Sequence, residues 1–287
     1  MQNDPRSIQR KRFIRTFMKD KTAVIGAIIL VSMVIIAVFA PAIAPESPTR
    51  QSLLHRLAPP GDDFLLGADR YGRDQLSRVL WGTRVSISVG IASVLAGAAV
   101  GIPLGLIGGF VGGRLDRFAV LVTDVFLAFP SVVLAMLIVS LLGTGVDRLI
   151  WAIGFTFVPR FIRLTRASAL SLKGREYIEG GRAIGCSTPY LIFRYVLPNI
   201  FGQTMAMGSL FIGLAIRSEA TLGFIGLGVA PPTASWGGML RDGLMFLRQA
   251  PWLTIWPSVA IFITILSINM LGDGLRDTID PKISKVE

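Results

Sequence analysis

The chain has 287 residues, of which 52% are hydrophobic and only 16% are charged, and its formal net charge is +11. The charged share lies well below the roughly 25% that is typical of soluble domains, and charge is cleared from long apolar blocks, which excludes an ordinary soluble domain. Because Lys and Arg flank these blocks instead of lining one face with aromatic residues, we interpret them as signals of membrane topology and not as a nucleic-acid-binding surface.

The first part of the chain is predicted to comprise a basic tail, a membrane anchor and a loop. Residues 1–21 are rich in Lys and Arg, which favours the cytoplasmic side of a membrane. Residues 22–45 carry no charge and are long enough to cross a bilayer. They exceed the roughly 7–15 apolar residues of a signal-peptide core, so we favour an uncleaved anchor, although Ala42-Ile43-Ala44 resembles a cleavage site. Residues 46–84 then form an extracytoplasmic loop, despite the arginines that they contain.

Residues 85–272 are predicted to form a membrane core with five further transmembrane helices. The basic segment 160–194 should share the cytoplasmic side with the tail, so an even number of crossings must separate them. This argument adds a short span before the arginines at 160, 163 and 166. The side chains of these arginines would then reach the cytoplasmic interface. We expect an all-α integral membrane protein with about six transmembrane helices, with both termini inside and a cytoplasmic tail over 273–287. The five spans are Val85–Gly113, Phe118–Val146, one from Leu149 onward, Tyr195–Val229 and Gln249–Gly272.

The second span carries a small residue at every fourth position, which makes one smooth stripe on a helix. Helices in lipid associate by close packing, and small residues let two backbones approach. We therefore predict that Gly97, Gly101 and Gly105 contact another helix, either in this chain or in a partner. The full stripe consists of Ser93, Gly97, Gly101, Gly105, Gly109 and Gly113.

Three charged residues, Asp124, Arg217 and Glu219, fall within predicted spans, where charge is costly. They could serve a translocation pathway or a proton relay, or they could satisfy neighbouring groups inside a helix bundle. No chain of acidic residues runs through the spans, which weighs against a relay. The spans also contain prolines that would kink or interrupt helices unless they fall at helix ends. These are Pro103, Pro130, Pro159 and Pro257.

The segment 173–199 is too polar to span the membrane and too regular for a plain linker. Thr188-Pro189 is typical of a helix start, and Pro198 should end that helix. We expect a helix, a turn at Gly185, a short helix and then the fifth span. A short helix held between two spans on the cytoplasmic side could dock on another protein and transmit its motion.

This segment resembles the EAA motif of binding-protein-dependent ABC import permeases. In that motif Glu-Ala-Ala is followed by Gly at a fixed spacing and later by Leu-Pro. Here the two alanines are replaced by Gly180 and Gly181, which cost about 1 kcal/mol each in a helix interior. The resemblance implies a loop that couples the permease to an ATPase. Its residues are Glu179, Gly180, Gly181, Arg182, Gly185, Leu197 and Pro198.

Three further motifs resemble the dipeptide, oligopeptide and nickel group of these permeases, most closely its "C" type. The resemblance implies a type I ABC importer permease in a bacterial or archaeal plasma membrane. It also implies a heterodimer with a second, related permease, two cytoplasmic ATPase subunits that bind ATP and Mg, and an extracytoplasmic solute-binding protein. The substrate stays open between dipeptides, oligopeptides, nickel chelates and related solutes. The motifs are Leu66-Gly67-Ala68-Asp69 with Gly72-Arg73-Asp74 and Ser77-Arg78; Gly226-Leu227-Gly228 with Pro231-Pro232 and Ser235-Trp236-Gly237; and Leu271-Gly272-Asp273-Gly274-Leu275-Arg276-Asp277.

The sequence provides few parts for catalysis. One His, His55, and one Cys, Cys186, are too few for a His/Cys metal site, and the G-x-x-x-x-G-K-[ST] phosphate loop is absent. We expect no catalytic residue, no metal and no cofactor in this chain. The alternatives are a secondary transporter working alone, which would usually show internal repeats, and an intramembrane hydrolase, which would need a paired nucleophile and base. Neither pattern is visible in the sequence.

Overall fold

The computed structural model describes residues 15–279, and within this range the chain forms helices and no strand. A 3₁₀ turn, Leu53–His55, lies in the loop after the first helix, and a π-helical turn, Ile192–Val196, joins α7 to α8. The helices are α1 Lys21–Ile43, α2 Gln75–Val111, α3 Gly113–Leu127, α4 Ser131–Leu142, α5 Val146–Lys173, α6 Glu176–Ala183, α7 Thr188–Leu191, α8 Leu197–Ile225, α9 Trp236–Leu244 and α10 Trp252–Ile279.

Four helical stretches are long and apolar enough to cross a membrane, namely Lys21–Ile43, Gln75–Val111, Thr188–Ile225 and Trp252–Thr278. A fifth crossing results if α3 and α4 are counted as one broken span. Helix α5 has the length of a span but not the apolar character, because arginines occupy its second half. The predicted crossing at α5, and with it the count of six, therefore stays a prediction.

The third predicted span, Phe118–Val146, is not one helix. Helix α3 ends at Leu127 and α4 begins at Ser131, and the two are bent by 91°. Pro130 lies immediately before α4, and a proline disfavours helical backbone in the residue that precedes it. By contrast, α2, α5 and α10 continue through Pro103, Pro159 and Pro257.

Helix α2 is the centre of the bundle and packs against α1, α3, α5 and α8. It begins ten residues before the predicted span, because the side chain of Asp74 caps it by accepting from Ser77 N at 2.8 Å and Ser77 Oγ at 2.6 Å. The largest core cluster joins α2 and α4 to aromatic residues of α5 and α8. In it the ring of Phe161 meets that of Phe211 edge to face at 5.2 Å.

Helices α1 and α10 pack together on one side of the bundle. The side chain of Asp20 begins α1 by accepting from the backbone N–H groups of Thr22 and Ala23. A Cβ built at Gly26 would lie 2.7 Å from Met270 Cβ, and one at Gly274 would touch Ala23. The glycines of the last sequence motif are therefore points at which α10 approaches its neighbours.

Candidate coupling site and membrane contacts

The segment that follows α5 forms a compact helical hairpin. Helix α6 covers Glu176–Ala183, the chain reverses at Gly185 with a φ of 86°, and α7 begins at Thr188. A positive φ of this kind is open to glycine and costly for other residues. The predicted order of helix, glycine turn and short helix is confirmed. Thr188, which the sequence predicts as the N-cap, is instead the first residue of α7, and Ser187 occupies the N-cap position without a capping hydrogen bond.

Pro198 does not end the short helix as predicted. Helix α7 continues through the π-helical turn into α8, and Leu197 and Pro198 lie in the first turn of α8. The N–H of Leu197 bonds to the carbonyl of Ile192, five residues back. Proline is tolerated where its missing N–H falls in a first helical turn. The hairpin is therefore joined to the long helix α8 without a break.

One face of the hairpin is fixed to the bundle by a small apolar core. Ile178 and Leu191 are fully buried, and they pack with Phe110 of α2 and Ala169 of α5. The guanidinium of Arg182 lies 5.1 Å from the centre of the Phe110 ring, within the range of a cation–π contact. These contacts fix the hairpin to the C-terminal ends of the long helices α2 and α5.

The opposite face of the hairpin exposes large apolar side chains. Ile184, next to the turn, is 82% exposed, and Phe193 is 69% exposed. Tyr190 and Glu179 are exposed as well. An apolar patch rimmed by polar groups is typical of a protein–protein contact.

The two glycines that replace the alanines of the motif differ in their surroundings. A Cβ built at Gly180 would meet nothing within 4 Å, whereas one at Gly181 would lie 2.8 Å from Leu191 Cδ2. Gly181 is buried at the contact between α6 and α7, and Gly180 is exposed. The missing methyl group at Gly180 therefore lowers the helix propensity on the exposed side of α6. The missing methyl group at Gly181 allows α6 and α7 to pack closely.

The small residues of α2 lie along α5. A Cβ built at Gly97 would lie 2.7 Å from the carbonyl oxygen of Gly154, and one at Gly101 would lie 2.6 Å from that of Val158. Gly105 and Gly109 continue this close approach against the second half of α5, whereas Gly113 begins α3 and has no such neighbour. The contact that the stripe predicted is thus made within this chain.

At the other end of α2, the first sequence motif builds a buried ionic cluster. Asp69 accepts from the backbone N–H groups of Tyr71 and Arg73 and from Arg73 Nε at 2.6 Å. Arg78 Nε lies 3.5 Å from the same carboxylate, and Asp242 of α9 pairs with Arg70 at 3.2 Å. The cluster connects the loop before α2 to α9. Sequence reasoning quoted Asp69, Arg73 and Arg78 in a motif but missed the cluster, because the partner Asp242 lies far along the chain.

The second motif packs the segment before α9 onto α2. Gly226 ends α8 with a left-handed φ of 98°, and Ser235 caps α9 by accepting from Gly238 N. The side chain of Trp236 is fully buried and donates from Nε1 to the carbonyl of Val79 at 3.1 Å. Trp236 therefore anchors α9 on the first turns of α2.

The three charged residues within predicted spans have different environments. Glu219 is fully buried, and its Oε2 accepts from Ser86 Oγ at 2.8 Å. Its Oε1 is buried without a hydrogen-bond partner among the described residues, so the expectation of a group satisfied inside the bundle is met by one carboxylate oxygen only. Asp124 is exposed on α3. Arg217 is exposed on α8, and its side chain forms no ion pair within residues 15–279.

The chain is similar to known transport proteins over nearly its whole length. The family described as the inner membrane component of binding-protein-dependent transport systems matches residues 101–285, and the N-terminal transmembrane domain of oligopeptide transport permease C matches residues 9–60. The dipeptide transport system permease protein DppC of Alkalihalophilus pseudofirmus is 38% identical over 92% of this chain and 87% of its own.

Two other relatives have comparable coverage. The di/tripeptide transport system permease protein DppC of Pseudomonas aeruginosa is 39% identical over 95% of this chain and 92% of its own. The glutathione transport system permease protein GsiD of Pectobacterium atrosepticum is 38% identical over 95% of this chain and 91% of its own. These relatives are transport permeases, which points to a transport subunit working with ATPase and substrate-binding partners. The chain therefore belongs to the family of inner membrane components of binding-protein-dependent transport systems, as a multi-pass permease of the bacterial inner membrane.

Proposed function

We propose that this chain forms half of the translocation pore of an ATP-driven importer for short peptides. The three relatives described above are named for dipeptides, for di- and tripeptides and for glutathione, itself a small peptide. The proposed partner in the membrane is a second, homologous permease, so that the pore is a heterodimer. Two cytoplasmic ATPase subunits bind ATP and Mg, and an extracytoplasmic protein delivers the solute, so this chain needs no catalytic site.

The proposed topology has six spans with both termini in the cytoplasm. Helix α5 supports a crossing by its length, since 28 residues extend for about 42 Å, more than a bilayer core of about 30 Å. Helices α5 and α8 are antiparallel, because Ser168 contacts Gln203 whereas the earlier residue Phe157 contacts the later residue Phe211. Because α5 and α8 are antiparallel neighbours joined by the hairpin, a crossing by both would leave the hairpin on one membrane side, and its basic flanks favour the cytoplasm.

The observation that carries the coupling role is the two-faced hairpin of α6 and α7. Its buried face is packed on α2 and α5, and its exposed face presents Ile184 and Phe193. A push on the exposed face is therefore delivered to the helices of the core. In this proposal, the residues 173–199 dock on an ATPase subunit and convert its closure on ATP into a movement of the pore.

The test replaces the turn glycine and the exposed acid in the complete transporter. Gly185→Val should cost about 1–2 kcal/mol of backbone strain at the turn, because a β-branched residue resists a positive φ. Glu179→Arg reverses an exposed charge without touching the buried face. We expect normal membrane abundance, lost peptide uptake and either loss of the ATPase subunits on purification or ATP hydrolysis that no longer responds to substrate.

The control is Gly180→Ala, which adds a methyl group in open space on the same helix. It should keep coupling and uptake. Full uptake in both Gly185→Val and Glu179→Arg at normal abundance would show that the hairpin is not the coupling element.

A further inference from the structure

One carboxyl group is enclosed in the helix bundle without a charge partner. The side chain of Glu219 on α8 is fully buried, and its Oε1 has no hydrogen-bond partner among residues 15–279. Its Oε2 contacts one hydroxyl group, Ser86 Oγ of α2, at 2.8 Å. An ionised carboxylate offers about four acceptor positions, so most of them would be empty here. Glu219 is therefore poorly suited to carry a negative charge in this conformation.

Glu219 lies where α2, α8 and the start of α9 meet. Ser86 contacts it from α2, and the backbone of the next residue, Ala220, packs against α9, since a Cβ built at Gly237 would lie 2.5 Å from the carbonyl oxygen of Ala220. Trp236 is buried at the same start of α9 and is hydrogen-bonded to α2. This chain alone therefore encloses the carboxyl group. A solute or a partner subunit reaches it only if these elements separate.

The surrounding helices supply no cation to the carboxyl group. Glu219 forms no ion pair within the described part of the chain. Helix α4 contains no charged residue, and α10 contains none before Asp273. The other charged residues of α2, α8, α9 and the first turn of α5 are Arg78, Arg84, Asp147, Arg148, Arg217, Arg241 and Asp242. Arg78 and Asp242 belong to the ionic cluster described above, and the others are exposed.

A neutral carboxyl group fits the observed contacts better than an ionised one. An unpaired charge inside a protein is so unfavourable that the group takes up a proton instead. With the proton on Oε2, the acid donates to Ser86 Oγ, and only the carbonyl oxygen Oε1 remains without a partner. An under-satisfied carbonyl oxygen is tolerated in protein interiors more readily than an unpaired charge.

We propose that Glu219 binds a proton while α2, α8 and α9 are packed together, and that it releases this proton when they separate. On separation the O–H bond of the carboxyl group breaks, the proton passes to water, and a carboxylate remains. Glu219 lies about 9 Å along the helix axis from the end of α8. In the topology proposed above this end faces outside, so the side that receives the proton rests on that proposal. Acid outside the cell then favours the packed state.

The inference predicts the sign of a pH effect on stability. The unfolded chain gives up this proton in neutral solution, whereas the packed state keeps it. Because the folded state then binds one more proton than the unfolded state, stability falls as the pH rises. A single proton of this kind lowers the ratio of folded to unfolded protein by up to about tenfold for each pH unit.

The experiment uses the complete transporter, with its partner permease, ATPase subunits and solute-binding protein, purified in detergent. Glu219→Gln keeps the shape of the neutral acid but has no proton to release. The control is Glu46→Gln, at an ion pair with the exposed Arg50. One measurement is the infrared difference spectrum between the wild type and each variant at neutral pH, in which a protonated carboxyl group absorbs at higher frequency than a carboxylate. The other is the melting temperature from about pH 5 to about pH 8.

We expect a protonated-carboxyl band in the wild type that Glu219→Gln removes and Glu46→Gln keeps. Ser86→Ala should shift this band without removing it, because the acid loses its hydrogen-bond partner but not its proton. Relative to Glu219→Gln, the melting temperature of the wild type should fall by about 2–4 °C per pH unit at the steepest part. Glu46→Gln should follow the wild type across this range.

Several outcomes would overturn the inference. One is the lack of a protonated-carboxyl band that depends on Glu219, and another is a wild-type melting temperature that stays parallel to that of Glu219→Gln as the pH rises. Failure of Glu219→Gln or Ser86→Ala to assemble would show that the bundle needs an ionised, hydrogen-bonded carboxylate. Neither measurement involves uptake, so a transporter that shows the band but moves no peptide would overturn the proposed function and leave this inference standing.

Discussion

The glycine seam between α2 and α5 can be tested with a single methyl group. In Gly101→Ala the new Cβ would lie 2.6 Å from both Phe161 Cβ and the carbonyl oxygen of Val158. Optimal contact between carbon atoms needs about 3.5 Å, so the two helices must separate by about 1 Å at this point. The obstacles are a backbone oxygen and a Cβ, and neither can rotate out of the way.

The magnitude follows from two opposing effects. Alanine is favoured over glycine inside a helix by about 1 kcal/mol. Overpacking a well-packed interior costs about 1–3 kcal/mol, and the upper end applies here because Gly97 and Gly105 make equally close contacts on either side. We therefore expect Gly101→Ala to destabilise the fold by about 2 kcal/mol net.

The matched control is Gly208→Ala, at a glycine inside α8 whose Cβ would meet nothing within 4 Å. It should gain the helix propensity of about 1 kcal/mol without a steric cost. The assay compares thermal unfolding of the purified transporter in detergent for the two variants and the wild type. A Gly101→Ala variant that melts at or above the temperature of Gly208→Ala would refute the close-packed seam.

Three further results are expected. Gly180→Ala should stabilise α6 by about 1 kcal/mol. Gly181→Ala should gain less stability, because its methyl group meets Leu191 Cδ2. A higher unfolding temperature for Gly181→Ala than for Gly180→Ala would contradict this. Asp69→Asn leaves buried arginines without their carboxylate and should cost about 3–5 kcal/mol, whereas Glu46→Gln, at an exposed ion pair, should cost less than about 1 kcal/mol. A cysteine introduced at Gly61 should react with a membrane-impermeant thiol reagent added outside the cell. Labelling only after lysis would contradict the predicted extracytoplasmic position of the loop 46–84.

Local signals in the sequence predicted some of these features well. The fourfold spacing of glycines predicted the face of α2 that meets another helix, because helical geometry alone brings every fourth residue onto one side. The turn at Gly185 was predictable for a similar reason, since glycine alone takes a positive φ at low cost. Composition was also sufficient to predict an all-α membrane protein.

Other features depend on contacts between distant parts of the chain. The pairing of Arg70 with Asp242 joins a loop before α2 to α9, and no periodicity connects residues so far apart. The helix continues from α7 into α8 through a π-helical turn before Pro198. This turn changes the hydrogen-bond register locally, whereas the proline taken alone predicts the end of a helix.

Helix α2 is a single rod held at both ends. Its 37 residues extend for about 55 Å. At one end Asp74 caps it beside the ionic cluster of Asp69, and at the other end Phe110 packs against the hairpin of α6 and α7. The glycine seam holds α5 along the same rod. In the coupling that we propose, a force applied at the hairpin of α6 and α7 therefore displaces the loop before α2 as well. Under this proposal, opening at one membrane face and closing at the other are consequences of one rigid movement of α2, without a series of small rearrangements along the helix.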